Sequence, residues 1–247
     1  MFTDESIQNS NISLRGGAEL ISFLLYYFVK MWGGDIRMIT QVIFDLDGTL
    51  VNSLDVFIKV GNQMAEKYGY QPLSEETIKE LLKLPMKKRI EVLKIPKFKL
   101  PKIGLEALRK FNEYAAQVEP IVGIKELLEL LYDKGYKLNI VSSNSLDNIN
   151  TFLEANHIEL FENIQSSRGL FDKHVTINRL ISKLGVKKDE VIYIGDEYRD
   201  IEACKKIGIK VISVLWGFDP KELLEKAQPD YIVSEPNEIS QIIMNIK

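Results

Sequence analysis

The sequence predicts an α/β fold, a doubly wound parallel sheet with a small inserted α-helical segment, and three observations predict it. From Ile39 onward, short apolar runs alternate with amphipathic stretches of about 10–13 residues, the pattern of strand–helix–strand crossovers that cover both faces of a sheet. One stretch, 54–118, has helical periodicity only and interrupts that alternation. Three of the apolar runs end in acids or hydroxyls, and in an open parallel sheet such ends share the edge where ligands bind.

The elements follow in order. TQVIFD (40–45) reads as a buried strand. Within the helical stretch, SEETIKELLKL (74–84) opens on Ser74 with Glu75 and Glu76 favouring the start of a helix, and Pro85 ends it. KIPKFKLPKIG is expected to be a basic, proline-broken linker, and LEALRKFNEYAAQV (105–118) an amphipathic helix by its 3–4 spacing. The alternation then resumes. IKELLELLYDKGY (124–136) is a helix ended near Gly135, KLNIVSS (137–143) a strand, LDNINTFLEANHI (146–158) a helix and ENIQSS (162–167) a short strand. HVTINRLISKLGV (174–186) is a helix, EVIYIGD (190–196) a strand, and RDIEACKKIGI (199–209) a helix closed by Gly208. KVISVLWG (210–217) is a strand, PKELLEKA (220–227) a helix and DYIVSE (230–235) a last strand. The core is therefore Rossmann-like, made of 38–54 and 119–247, with 55–118 inserted on it.

Composition narrows the function. The 247 residues are 45% hydrophobic and 27% charged with a net charge of -3, so nothing in bulk charge calls for nucleic acid or an anionic membrane. A single cysteine, Cys204, excludes an internal disulfide and fits a reducing, cytoplasmic setting as an inert core thiol. Residues 1–37 differ in texture: LISFLLYYFV (20–29) is apolar but shorter than the ~20 residues of a membrane span. They read as an extension, either an accessory helix or a segment upstream of a start at Met38, with a membrane-surface anchor as the alternative.

The strand ends carry the chemistry. The first ends in Asp45-Leu46-Asp47-Gly48-Thr49, a middle one in Ser142-Ser143-Asn144, and a later one in Gly195-Asp196-Glu197, with Asp200 one helical turn on. Lys173 precedes a helix between the last two. Acids converging on one edge need an offsetting charge, which a hard cation such as Mg²⁺ and a lysine would supply. That charge draws in phosphate, which Ser142 and the amides beyond it would cradle. Asp45 could attack phosphorus, and Asp47 could be held protonated beside it to serve as acid and then base. Gly48 permits the tight turn that places both.

These residues resemble the haloacid dehalogenase superfamily of phosphohydrolases from about Ile39 to the C-terminus. D-x-D-G-T matches Asp45 to Thr49; a hydrophobic strand ending in Ser matches NIVSS, with Ser142 or its neighbour Ser143; the lysine falls on Lys173; and G-D-x-x-x-D matches GDEYRD. The resemblance implies Asp45 as nucleophile, Asp47 as general acid/base, and Mg²⁺ held by Asp45, the Asp47 carbonyl and Asp196. Ser142, Ser143, Asn144 and Lys173 would bind phosphate, with Gly48, Thr49, Glu197 and Asp200 in support. It also implies that 55–118 is a helical cap, as in phosphoglycolate phosphatase-like members. The expected activity is a Mg²⁺-dependent phosphatase for a small phosphorylated metabolite; a phosphomutase and a non-catalytic protein keeping the fold are the alternatives. The insert holds thirteen Lys/Arg against eight Asp/Glu, densest at MKKR (86–89), which suggests a basic residue there that meets the substrate.

Overall fold

The structure is a computed structural model that describes residues 39–167, 169 and 171–246. The expectations for residues 1–37, and for a start at Met38, lie outside the described residues.

Six parallel strands form one sheet: β1 (Gln41–Phe44), β2 (Lys137–Ser142), β3 (Phe161–Ser166), β4 (Val191–Gly195), β5 (Lys210–Val214) and β6 (Tyr231–Val233). Their order is β3-β2-β1-β4-β5-β6, and every pairing is parallel. The chain winds outward from β1 in one direction and then, after β3, in the other. The ends of β1, β2 and β4 therefore meet at the point where the order reverses, which is where open α/β sheets bind ligands. β1 carries no polar face because it is covered on both sides, as a central parallel strand must be.

Alternate residues of the strands feed two apolar layers. Val42, Phe44, Ile140 and Ile194 face one layer. It is closed by α5 (Ile124–Asp133), α6 (Leu146–Ala155) and α10 (Pro236–Asn245). Ile43, Val141, Tyr193 and Val211 face the other, closed by α7 (Lys173–Leu184), α8 (Tyr198–Ile207) and α9 (Lys221–Ala227). This is the doubly wound α/β architecture expected from the alternation. Cys204 lies inside the second layer, where burial pushes its thiol pKa up and keeps it inert.

Between β1 and β2 the chain adds only helices: α1 (Leu54–Tyr68), α2 (Glu75–Leu82), α3 (Met86–Val92) and α4 (Leu100–Ala115). A small cluster of Val60, Met64 and Ile103 ties α1 to α4. Two boundaries here differ from the sequence reading. α4 starts at Leu100 rather than Leu105, with Pro101 in its first turn, where the missing N–H is no loss. Pro85 caps α3 at its N-terminus, and α2 has already ended at Leu82. Two further differences lie in the core. β5 stops at Val214, so Leu215–Phe218 leave the sheet, and α10 was not foreseen. α10 is built on a Glu235/Glu238 capping box with Pro236 in its first turn. Among the described residues no helix is long and apolar enough to cross a membrane.

Candidate active site

β1 delivers Asp45 to the sheet edge still hydrogen-bonded as strand, its N–H donating to the Ile194 carbonyl at 2.9 Å. The chain then turns at Gly48 with φ 76°. A side chain at Gly48 would be strained and would collide with the Asp196 carboxylate. The Asp45 carboxylate accepts from the Leu46 N–H at 2.8 Å and from Lys173 Nζ at 2.6 Å.

Asp47 comes back beside it. One of its oxygens accepts from the Ser53 hydroxyl at 2.8 Å, the other from the Asn144 amide at 2.9 Å. Burial, and then the Asp45 charge, push its pKa up to about 7 against the pull of those two donors. Like-charge repulsion, the cause read from the sequence, is thus real but second to desolvation. Near neutral pH this carboxyl is populated in both forms, as an acid–base group must be.

The end of β2 divides its labour. Ser142 Oγ accepts from the Asn144 N–H at 3.1 Å, which aims the hydroxyl along the strand end. Ser143 Oγ accepts from Arg199 at 3.1 Å. The Asn144 side chain, expected at the phosphate cradle, turns toward Asp47. One N–H of its NH₂ is given to Asp47, and its oxygen accepts from the Asn148 amide at 2.6 Å. It orients the acid.

Lys173 is the first residue of α7 and is buried. Its ammonium bridges Asp45 at 2.6 Å and Asp200 at 2.5 Å above the ring of Tyr193. Burial works against that charge, but Asp200 and Asp45 outweigh it and raise the lysine pKa. Asp200, in the first turn of α8, is therefore the lysine's partner. Glu197 pairs with Arg199. Asp196 accepts from the Thr49 hydroxyl and the Phe218 N–H, both at 2.8 Å. Gly217 packs so closely on Asp196 that a Cβ would overlap it.

The metal ligands expected from the sequence were Asp45, Asp47 and Asp196. Among the described residues, the acids whose oxygens converge within 4.8 Å of one another are Asp45, Glu197 and Asp200. Lys173 already sits against two of them. Asp196 lies beside this trio, each oxygen retaining a lone pair beyond its one hydrogen bond. The site as a whole fits a divalent cation. With Asp47 protonated, the buried carboxylates are Asp45, Asp196, Glu197 and Asp200, and the cations paired with them are Lys173 and Arg199. The acids outnumber those cations by two. Consistent with that excess, burial and then Glu197, Asp45 and Asp200 push Asp196 well above the usual carboxylate range. An all-oxygen donor set suits a hard cation.

Over this floor lies a cavity of about 350 Å³, lined by Asp45, Asp47 and Ser142 below and by α1, α2 and α3 above. Arg89 of α3 reaches its wall with its Nε and Nη2 committed to the protein. It donates to the carbonyls of Leu81 (3.0 Å), Leu82 (3.0 Å) and Leu84 (2.7 Å) and pairs with buried Asp219. Asp219 in turn accepts from the Tyr198 N–H at 2.7 Å, so this pair joins the insert to the core. The lysines of MKKR serve elsewhere: Lys87 lies 5.4 Å from the Phe171 ring centroid, and Lys88 pairs with Glu91 on the surface.

Ser53, Arg199, Asp219 and the Trp216–Phe218 loop escaped the sequence reading. Ser53 alone left a trace, a serine at a helix start six residues beyond Asp47. As N-cap of α1 it makes no capping hydrogen bond, because its hydroxyl is given to Asp47.

Comparison with known proteins gives the family. The profile of the haloacid dehalogenase-like hydrolase family matches residues 42–214. The phosphoglycolate phosphatase of Synechococcus elongatus is 28% identical over 206 residues, 83% of this chain and 97% of that one. The pyrophosphatase PpaX of Listeria welshimeri is 28% identical over 230 residues, with coverage of 83% and 96%. A haloacid dehalogenase-like hydrolase from Streptococcus pneumoniae superposes with a TM-score of 0.70 at 23% identity, covering 83% of this chain and 98% of its own, which is a likeness of fold.

Proposed function

The chain belongs to the haloacid dehalogenase-like hydrolase family, and from that premise we propose that it is a Mg²⁺-dependent phosphatase of small phosphomonoesters, working through an aspartyl-phosphate on Asp45. One observation carries the reading. A buried carboxylate fixed by a lysine and a second carboxyl with a pKa of about 7 stand two residues apart on the floor of one cavity.

In the first half-reaction an Asp45 oxygen attacks phosphorus while the bond from phosphorus to the leaving oxygen breaks. Protonated Asp47 gives that oxygen its proton, so an alcohol leaves rather than an alkoxide. In the second, carboxylate Asp47 takes a proton from water, the water oxygen attacks phosphorus, and the bond to Asp45 breaks to release inorganic phosphate. Ser53 and Asn144 keep Asp47 aimed at both oxygens in turn. Lys173, positioned by Asp200, and the Ser142 hydroxyl neutralise and hold the phosphoryl oxygens. Asp45, the Asp47 carbonyl and Asp196 would hold Mg²⁺, which adds positive charge against the phosphoryl group. The inserted helices act as a cap that keeps bulk water off the cavity, and the single buried cysteine suits a cytoplasmic enzyme.

Asp45→Asn tests this. Phosphate release should fall by at least about 10⁴-fold, and a phosphoryl adduct, expected by mass spectrometry of the acid-quenched wild-type enzyme, should be absent from the variant. Undiminished phosphate release by the purified variant would remove the proposed nucleophile.

A further inference from the structure

Resting on the phosphatase reading, we infer that the substrate's leaving group is an uncharged, apolar alcohol, aliphatic or aromatic, rather than a second anionic group. The cavity has two chemically distinct ends. All of its acids and hydroxyls lie at the strand edge. Beyond them its wall is made by Phe57, Ile78, Leu82, Met86 and Ile90 of the insert, with Phe218 of the core. Phe57 and Phe218 close on each other edge to face, their ring centroids 5.5 Å apart, so insert and core build one continuous apolar surface over the phosphate end. The volume of about 350 Å³ is that of a small-molecule site.

A substrate that is anionic at both ends would need a counter-charge at this far end. Two guanidinium groups border the cavity, and each is already paired with a carboxylate. Arg89 serves three backbone carbonyls and Asp219. Arg199 serves Glu197 and Ser143 at the phosphate end. Lys87 and Lys88 are exposed and turned to Phe171 and Glu91. A carboxylate or a second phosphate pushed against Leu82 and Ile90 would lose its water and meet no cation that is not already paired with a carboxylate, which is unfavourable. A hydrocarbon there gains what the carboxylate loses, because each methylene leaves water for an apolar wall. The positive balance of the insert is therefore a surface property, and the chamber beneath it selects by burial.

The experiment uses the full chain with Mg²⁺ and compares methyl, butyl and hexyl phosphate with phosphoglycolate and pyrophosphate. The expected result is a kcat/KM that rises about fourfold per added methylene and exceeds that for both competitors, which carry a second anionic group. A flat alkyl series, or phosphoglycolate or pyrophosphate as the best substrate, overturns the inference while leaving the phosphatase intact. If no compound releases phosphate, the phosphatase reading fails, and binding decides the chamber by itself. Hexylphosphonate should then bind at least tenfold tighter than phosphonoacetate, and equal or weaker binding overturns the inference. Met86→Lys sharpens the test by placing an ammonium in the wall. It should lower kcat/KM for hexyl phosphate and raise it for phosphoglycolate; the opposite shift counts against the chamber. Lys87→Gln, outside the cavity, should leave the alkyl series unchanged, and loss of the chain-length dependence in that variant would also count against it.

Discussion

On the strand side of the cavity, acids crowd into a space with almost no water: Asp45, Asp196, Glu197 and Asp200 are all at most 3% exposed. On the insert side the wall is leucine, isoleucine, methionine and phenylalanine, and its one arginine is turned into its own backbone. The two sides store opposite things. The floor holds unbalanced charge in place by covalent strand ends, a bridging lysine and glycines too small to push it apart. It is ready for a charged reaction but costly to keep. The roof has one cation, Arg89, already paired with Asp219, and otherwise contributes burial. Under the proposed function, reactivity and selectivity lie on different elements, so each should be open to perturbation with little effect on the other.

The largest break of that division should come from Lys173→Met. It leaves Asp45 and Asp200 facing each other unpaired, and removal of one partner of a buried ion pair costs about 3–5 kcal/mol. Chemical denaturation at pH 8 with chelator should show that loss, and Mg²⁺ should restore part of it. Turnover should fall on the order of 10²–10³-fold, as when a charge-stabilising donor is lost. A variant as stable as wild type in chelator would mean the floor is not held against its own charge.

Next comes the joint between the two sides. Arg89→Met strands Asp219, 3% exposed, with only the Tyr198 N–H. Burial has already carried Asp219 to a pKa of about 6 against the pull of Arg89. Without the arginine the carboxyl titrates higher, so destabilisation should be near 3 kcal/mol at pH 8 and smaller at pH 5. The reverse pH order in denaturation curves would show that the pair does not join insert to core as an ion pair.

Asp47→Asn separates charge from chemistry. The folded pKa of about 7 lies above the ordinary 3.8, so between those values the folded state keeps a proton that the unfolded chain has lost. The stability contributed by this site is then full below about pH 4, falls as pH rises, and is lost above about 7. The asparagine variant should be inactive yet more stable than wild type in chelator at pH 8, on the order of a few kcal/mol. The gain should shrink at pH 5, and a pH-independent difference would refute the protonation argument. The smallest effect belongs to Lys88→Gln. That exposed pair with Glu91 is worth little in water, and neither melting temperature nor salt dependence of turnover should change.

How much was legible follows from the range over which each signal acts. Asp45, Asp47, Lys173, Asp196 and Asp200 stood out because strand ends and a helix start punctuate the chain locally, and the alternation itself says those ends share an edge. Their roles were less legible. That Asn144 holds Asp47, that Ser53 gives up its capping bond, and that Asp196 leans on Thr49 and Phe218 all depend on side chains brought together across 97, 6 and 147 or 22 residues. Nothing in local pattern distinguishes MKKR as a steering patch from MKKR as a surface run containing one inward arginine.

The sequence by itself determined the doubly wound sheet, the helical insert and the gathering of acids at one edge, because periodicity of 2 or 3.6 and the residues at element ends are properties of neighbours along the chain. Only the tertiary structure decided that burial outweighs like charge at Asp47, that Ser53 and Asn144 hold it, and that the roof is apolar. Desolvation and counter-charge depend on everything packed around a group, and the chain order does not state that.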